Sequence, residues 1–201
     1  MKQFINYYKW HLLFLLIIII CLSFAFINMT STTEPDLTIC YIGTGYVNVQ
    51  TFNDRSDNIE KILADANNDD KNLANLYAYT MDFQDDLDET FSDMVDSGEY
   101  DIYITNKKAF NTFEDKSKFV TANEYISDIE SGKYETIKDK SGRIYAVSLK
   151  DNDYAKDLGF MDTTDLYIAV AENNDEEGQE PSVSRKNGRN IALYIIKEGI
   201  V

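Results

Sequence analysis

Residues 73–105, LANLYAYTMDFQDDLDETFSDMVDSGEYDIYIT, read as strand, helix, strand, and that order decides the fold class. Leu73 to Met81 is rich in strand-forming residues, and Asp101 to Thr105 repeats the pattern. Between them Asp85 to Ser97 sets Leu87, Phe91, Met94 and Val95 on one helical face. Asp85, Asp86, Asp88 and Glu89 crowd its first turn, where negative charge meets the positive end of the helix dipole. Gly98 is a natural stop. The densest acidic cluster therefore has a structural explanation that needs no metal ion.

Upstream, Leu37 to Ile42 (LTICYI) is a further strand, ended by Gly43-Thr44-Gly45. A dinucleotide-binding turn would need a third glycine at position 48, which is Asn48, so a plain turn is expected. Asp57 to Ala66 places Ile59, Ile62, Leu63 and Ala66 on one face and predicts a helix, with Asp57 and Glu60 spaced like a capping box. Asn67 to Asn72 is a polar turn that has the composition of a calcium loop but lacks its glycine and closing glutamate. Downstream, Lys107 to Phe113 reads as helix and Phe119 to Ile126 as an extended piece leading into a helical turn. Ile144 to Leu149 and Leu166 to Ala171 read as strands, with a short helix over Asp153 to Leu158. Glu172 to Pro181 is a polar excursion, and Ser182 to Glu198 is a closing helix with Ile191, Tyr194 and Ile195 inward, weakened early by Asn187-Gly188. The order β-α-β-α-β followed by mixed elements predicts a three-layer α/β domain.

The N-terminus is of another kind. Trp10 to Met29 (WHLLFLLIIIICLSFAFINM) holds no Asp, Glu, Lys or Arg, and as a helix would be about 30 Å long, enough to cross a bilayer. The run is longer than a signal-peptide core, and Phe24 and Phe26 stand where a peptidase prefers small residues. Ile20 before Cys21 argues against acylation of that cysteine. An uncleaved signal anchor is predicted: 1–9 cytoplasmic, 10–29 in the lipid bilayer, 30–36 a linker and 37–201 an extracytoplasmic domain. Lys2 and Lys9 precede the span while Glu34 and Asp36 follow it, which sets that orientation, and Tyr7, Tyr8 and Trp10 suit an interfacial belt. His11 reads as an interfacial polar residue.

Beyond residue 29 lie all 35 acidic and 17 of the 19 basic residues, a net charge of −18. Such a surface repels nucleic acid, so no nucleic-acid partner is expected. Cys40 is the one cysteine past the anchor, leaving no internal disulfide. With His11 the one histidine, serine and cysteine triads and histidine-based zinc sites are unavailable to the domain, which predicts no enzyme, no cofactor and no metal site.

The stretch from Glu60 to Ile126, with Met94 to Ile104, Phe110 to Phe119 and Ala122 to Ile126 as its matching pieces, resembles one lobe of the bacterial extracellular solute-binding proteins of ABC importers. Residues 144–175 resemble a later part of the same lobe. The resemblance implies a binding or interaction domain at a Gram-positive surface, with ABC permease subunits or another envelope protein as partner and a small polar ligand. Family members close two lobes on a cleft, and this chain has the length of one. An envelope scaffold without a ligand is the alternative.

Binding would rest on aromatic and polar side chains. Tyr77, Tyr79, Tyr100, Tyr103, Tyr145 and Tyr167 lie in or beside strands and read as sheet packing. Tyr41 and Tyr46, at the carboxyl end of the first strand, are better candidates, because ligands of open α/β sheets gather at that edge. Asp82 and Asn106, just past the next two strands, face the same edge.

Overall fold

β1 (Leu37–Gly43) is apolar along its length because it is buried on both faces. The structure, a computed structural model, describes residues 11, 13–23, 34–172 and 182–198. After β1 come α1 (Val49–Arg55), α2 (Asp57–Glu60), β2 (Ala74–Thr80), α3 (Gln84–Ser97), β3 (Ile102–Asn106) and α4 (Lys107–Thr112). Three 3-10 turns lead to β4 (Thr136–Lys138), β5 (Ile144–Ser148), α5 (Asp153–Asp157), β6 (Leu166–Val170) and α6 (Val183–Glu198).

The six strands form one sheet in the order β2-β1-β3-β6-β5-β4. β1 pairs parallel with both β2 and β3, as strands joined by helical crossovers must, while β3-β6, β6-β5 and β5-β4 are antiparallel. Helices cover both faces, so the expected α/β domain is present. Leu37, Ile39 and Tyr41 point into one core with Phe52 of α1, Ala155 of α5 and Ile191 and Ile195 of α6. Cys40 and Ile42 point into the other with Leu87, Phe91 and Val95 of α3 and Phe110 of α4. The second core is largely aromatic. Phe119 lies within 6.3 Å, centroid to centroid, of Phe91, Tyr103, Phe110, Phe113 and Tyr145.

Several boundaries differ from the sequence reading. Helix over 57–66 stops at Glu60 because tertiary partners capture the backbone beyond it. The Asn187 side chain takes both the Ala64 N–H (2.9 Å) and the Ala64 carbonyl (2.8 Å), and buried Asp36 accepts from the N–H of Ala66 and of Leu73. Asp65 then accepts from the N–H groups of Asn68, Asp69 and Asp70, folding the polar turn around its own carboxylate. The capping box is not made as expected: Ser56, not Asp57, precedes α2, and its hydroxyl donates to Glu60. Helix α1 and strand β4 add two elements the hydropathy pattern did not mark.

Asn187 and Gly188, expected to weaken the last helix, are where α6 seats on the sheet. A Cβ on Gly188 would come within 3.2 Å of Val170. Asn187 is buried and also donates to the Asp36 carbonyl at 3.2 Å. Asn187→Ala should therefore cost about 2–3 kcal/mol, from three lost hydrogen bonds whose partners are only partly open to water. Urea unfolding of the full chain in detergent measures this, and a loss under about 0.5 kcal/mol, the scale of an ordinary surface substitution, would show the latch to be redundant.

The N-terminal unit, Met1–Glu34, is separate from Pro35–Val201. Residues 13–23 are helical, and Leu13 to Ile20 and Leu22 are exposed by 42–66 %. Among the described residues no helix is long and apolar enough to cross a membrane. The predicted span also takes in residues 10, 12 and 24–29, which lie outside the described residues. So do Lys2, Tyr7, Tyr8 and Lys9 at its flank, linker residues 30–33, and 173–181 of the polar excursion.

Candidate functional site

Because β1, β2 and β3 are parallel, their carboxyl ends share one edge of the sheet, and the loops that leave them meet there. The first loop is held on both sides. The Met81 N–H donates to the Gly43 carbonyl (2.9 Å) and the Asn48 N–H to the Gly159 carbonyl (3.0 Å), while Val47 pairs with Phe160. Tyr41 is buried, its ring edge-on to Phe160 at 5.6 Å and its hydroxyl donating to the Gly45 carbonyl at 2.9 Å. A Cβ on Gly43 would lie 2.3 Å from that hydroxyl, so the glycines of this turn make room for Tyr41. The turn's chemistry is internal.

Of the four residues singled out by position, Tyr41 is thus committed to the core and the turn. Asn106 caps α4, its Oδ1 accepting from the Ala109 N–H at 2.9 Å and its Nδ2 donating to Gln84 Oε1 at 2.7 Å. Tyr46 and Asp82 stand exposed. All four lie at the expected edge, with two of them open to a partner.

Two features of this edge escaped the sequence reading. Phe83, in the extended position before α3, is 69 % exposed, and Met161, in the loop before β6, is 72 % exposed. With Tyr46 at 63 %, these are the three most exposed large apolar side chains described beyond residue 34. Met161 reaches this edge because β6 runs antiparallel to β3 and so begins where β3 ends. No local pattern reveals that.

The other feature is polar. Glu135, ahead of β4, accepts from Lys107 Nζ at 2.8 Å and from the Tyr167 hydroxyl at 2.5 Å on the same oxygen. Hydrogen bonds from Lys107 and then Tyr167 hold the Glu135 carboxyl below its ordinary range, while burial raises the Tyr167 phenol. Lys108 extends the charge pattern toward Asp88 (3.5 Å) and Asp85 (3.7 Å) of α3. Every charge in this row has a partner, and the depression bounded by Lys107, Lys108, Asn111, Thr112 and Asp165 is open, about 510 Å³ in volume. Such a surface suits an extended partner better than an enclosed small molecule.

Cys40, in the middle of β1, is buried, and burial pushes its thiol up to about 12, which leaves it protonated and unreactive at neutral pH. Among the described residues no group of acidic, histidine or cysteine side chains is arranged to hold a metal ion. Comparison of the chain with family models, with curated proteins and with solved structures finds no match.

Proposed function

We propose that this chain is a membrane-anchored binding or interaction domain of the cell envelope, held outside the cytoplasm by residues 10–29. On this reading it resembles one lobe of a solute-binding protein, and it engages its partner through the carboxyl edge of β1–β3. The observation that carries the proposal is that Tyr46, Phe83 and Met161, the three most exposed large apolar side chains described beyond residue 34, lie at one edge of the sheet. Aromatic and methionine side chains exposed together are typical of recognition surfaces, and their burial supplies the affinity. The anchor is supported by the helix of residues 13–23, apolar and exposed all round, which needs an apolar surrounding.

Of the two kinds of partner, a protein suits this edge better than a small solute, because its aromatic side chains stand on an open surface. An ABC permease subunit or another envelope protein fits that description. A reporter fused after Val201 should be active outside the cytoplasm, and activity only inside would overturn the anchored reading. A photo-crosslinking residue at position 83 or 161, in cells, should give a discrete product that the same residue at Asn68, on the opposite edge, does not. The product from position 83 should disappear in a Met161→Asp background; equal products from all three positions would refute the assigned face.

A further inference from the structure

Around one cavity of this acidic domain cations outnumber carboxylates. A cavity of about 820 Å³ lies between the end of α4, the Lys116–Lys118 turn and the β4–β5 turn, and four cations line it: Lys116, Lys138, Lys140 and Arg143. Two acids share the lining, and one of them is spent. The Asp139 carboxylate accepts from the Ser141 hydroxyl (2.6 Å) and N–H (2.8 Å) and from the Arg143 N–H and Nε (both 3.0 Å). Those bonds hold its carboxyl far below the usual range, so it stays ionised, its charge balanced by Arg143 within its own turn. Glu114 remains, exposed on the rim.

The lysines are not matched in this way. The Lys116 ammonium sits among the carbonyl oxygens of Phe110, Asn111 and Phe113, which close the end of α4, and over the rings of Phe113 and Tyr145 at 5.7 and 5.5 Å. Loss of water there lowers its pKa. The Lys138 and Lys140 ammonium groups are exposed and have no ion-pair or hydrogen-bond partner among the described residues. In a domain with about two carboxylates for each cation, three ammonium groups without a carboxylate surround one cavity.

We propose that this cavity binds a phosphate group. A carboxylate is best gripped by the planar fork of an arginine, but the Arg143 guanidinium is already engaged by Asp139 and by the Phe119 and Lys116 carbonyls. The free donors, Lys138 and Lys140, are compact ammonium groups on flexible stems, which suit a tetrahedral anion with several oxygens, and Lys116 adds its charge to the cavity. Two sources share this chemistry. One is a soluble phosphoester. The other is a phospholipid headgroup of the membrane in which the proposed anchor lies. The lipid source rests on the anchored reading above, whereas the soluble source does not.

The test uses the full chain in phosphate-free maltoside micelles, with the amide signals of residues 138–143 followed by NMR. Inorganic phosphate, glycerol phosphate and micelles doped with phosphatidylglycerol are titrated separately at about 0.15 M salt, where long-range attraction is screened. A saturable shift is expected in at least one arm, weakened tenfold or more in Lys138→Gln/Lys140→Gln and unchanged in Lys150→Gln, an exposed lysine elsewhere. Response to the soluble anions identifies a phosphoester site; response to the doped micelles alone identifies a headgroup site. No saturable shift in any arm, or the same shift in the double variant, would overturn the proposal. Lys140→Gln alone should weaken the response in the same direction, which guards against a folding defect in the double variant.

Discussion

Replacing Phe119 with alanine is expected to destabilise the domain by about 3–5 kcal/mol, the full cost of emptying a buried aromatic site. Phe119 is fully buried and touches five other rings, edge-on to Tyr103, Phe110 and Phe113 and stacked with Phe91 and Tyr145. Each such pair adds about 0.5–1.5 kcal/mol beyond the area it buries. The backbone matters as well, because residues 118–120 run beside the end of β6 through Val120 N–H to the Val170 carbonyl (2.9 Å) and Glu172 N–H to the Lys118 carbonyl (2.7 Å). A cavity at Phe119 therefore loosens α3, α4 and the sheet together. Urea unfolding of the full chain in detergent, read by near-UV circular dichroism, measures the loss. Phe119→Leu keeps most of the volume and should cost much less; equal effects from the two variants would show that the ring contacts, and not the emptied volume, carry the loss.

Gly43→Ala is expected to cost about 2–3 kcal/mol, the scale of forced overpacking in a core. The added Cβ would stand 2.3 Å from the Tyr41 hydroxyl oxygen and 2.6 Å from Cζ, and the ring cannot swing away because Phe160 holds its edge. A double-mutant cycle separates this cause from a backbone effect. In a Tyr41→Leu background the clash disappears, so Gly43→Ala should then be nearly neutral, even though Tyr41→Leu is itself destabilising. Additive losses would mean that the backbone of the turn, and not the ring above it, demands the glycine.

Much of the architecture was legible because it is written locally. The strand-helix-strand run of residues 73–105 appears as β2, α3 and β3 with ends shifted by a residue or so, since alternation, the acidic first turn and Gly98 in the left-handed conformation are all local signals. Of the six tyrosines read as sheet packing, Tyr100, Tyr103, Tyr145 and Tyr167 are buried, whereas Tyr79 is half-buried and Tyr77 is exposed on the edge strand β2. The helix over 57–66 failed for a reason no local pattern contains. Ile59, Ile62, Leu63 and Ala66 have helical spacing, but the backbone groups of Ala64 belong to Asn187, which lies 123 residues away in sequence. Ile62 consequently turns outward.

The candidate site divides in the same way. Position relative to the strands was enough to place Tyr46, Asp82 and Asn106 at one edge, because parallel strands joined by crossovers present their carboxyl ends together. Rings committed to the core could not be told from rings open to a partner: Tyr41 and Tyr46 are five residues apart, and the sheet buries one while leaving the other in solvent. By itself the sequence determined the α/β class, the excess of negative charge, the single histidine at position 11 and the apolar run at the N-terminus, all of which depend on composition or short-range order. Tertiary structure alone decided that β6 runs antiparallel, that Met161 and Phe83 join Tyr46 at one edge, and that three lysines without a carboxylate partner share a cavity. Those outcomes depend on strand direction and on side chains meeting from distant segments, and chain spacing carries neither.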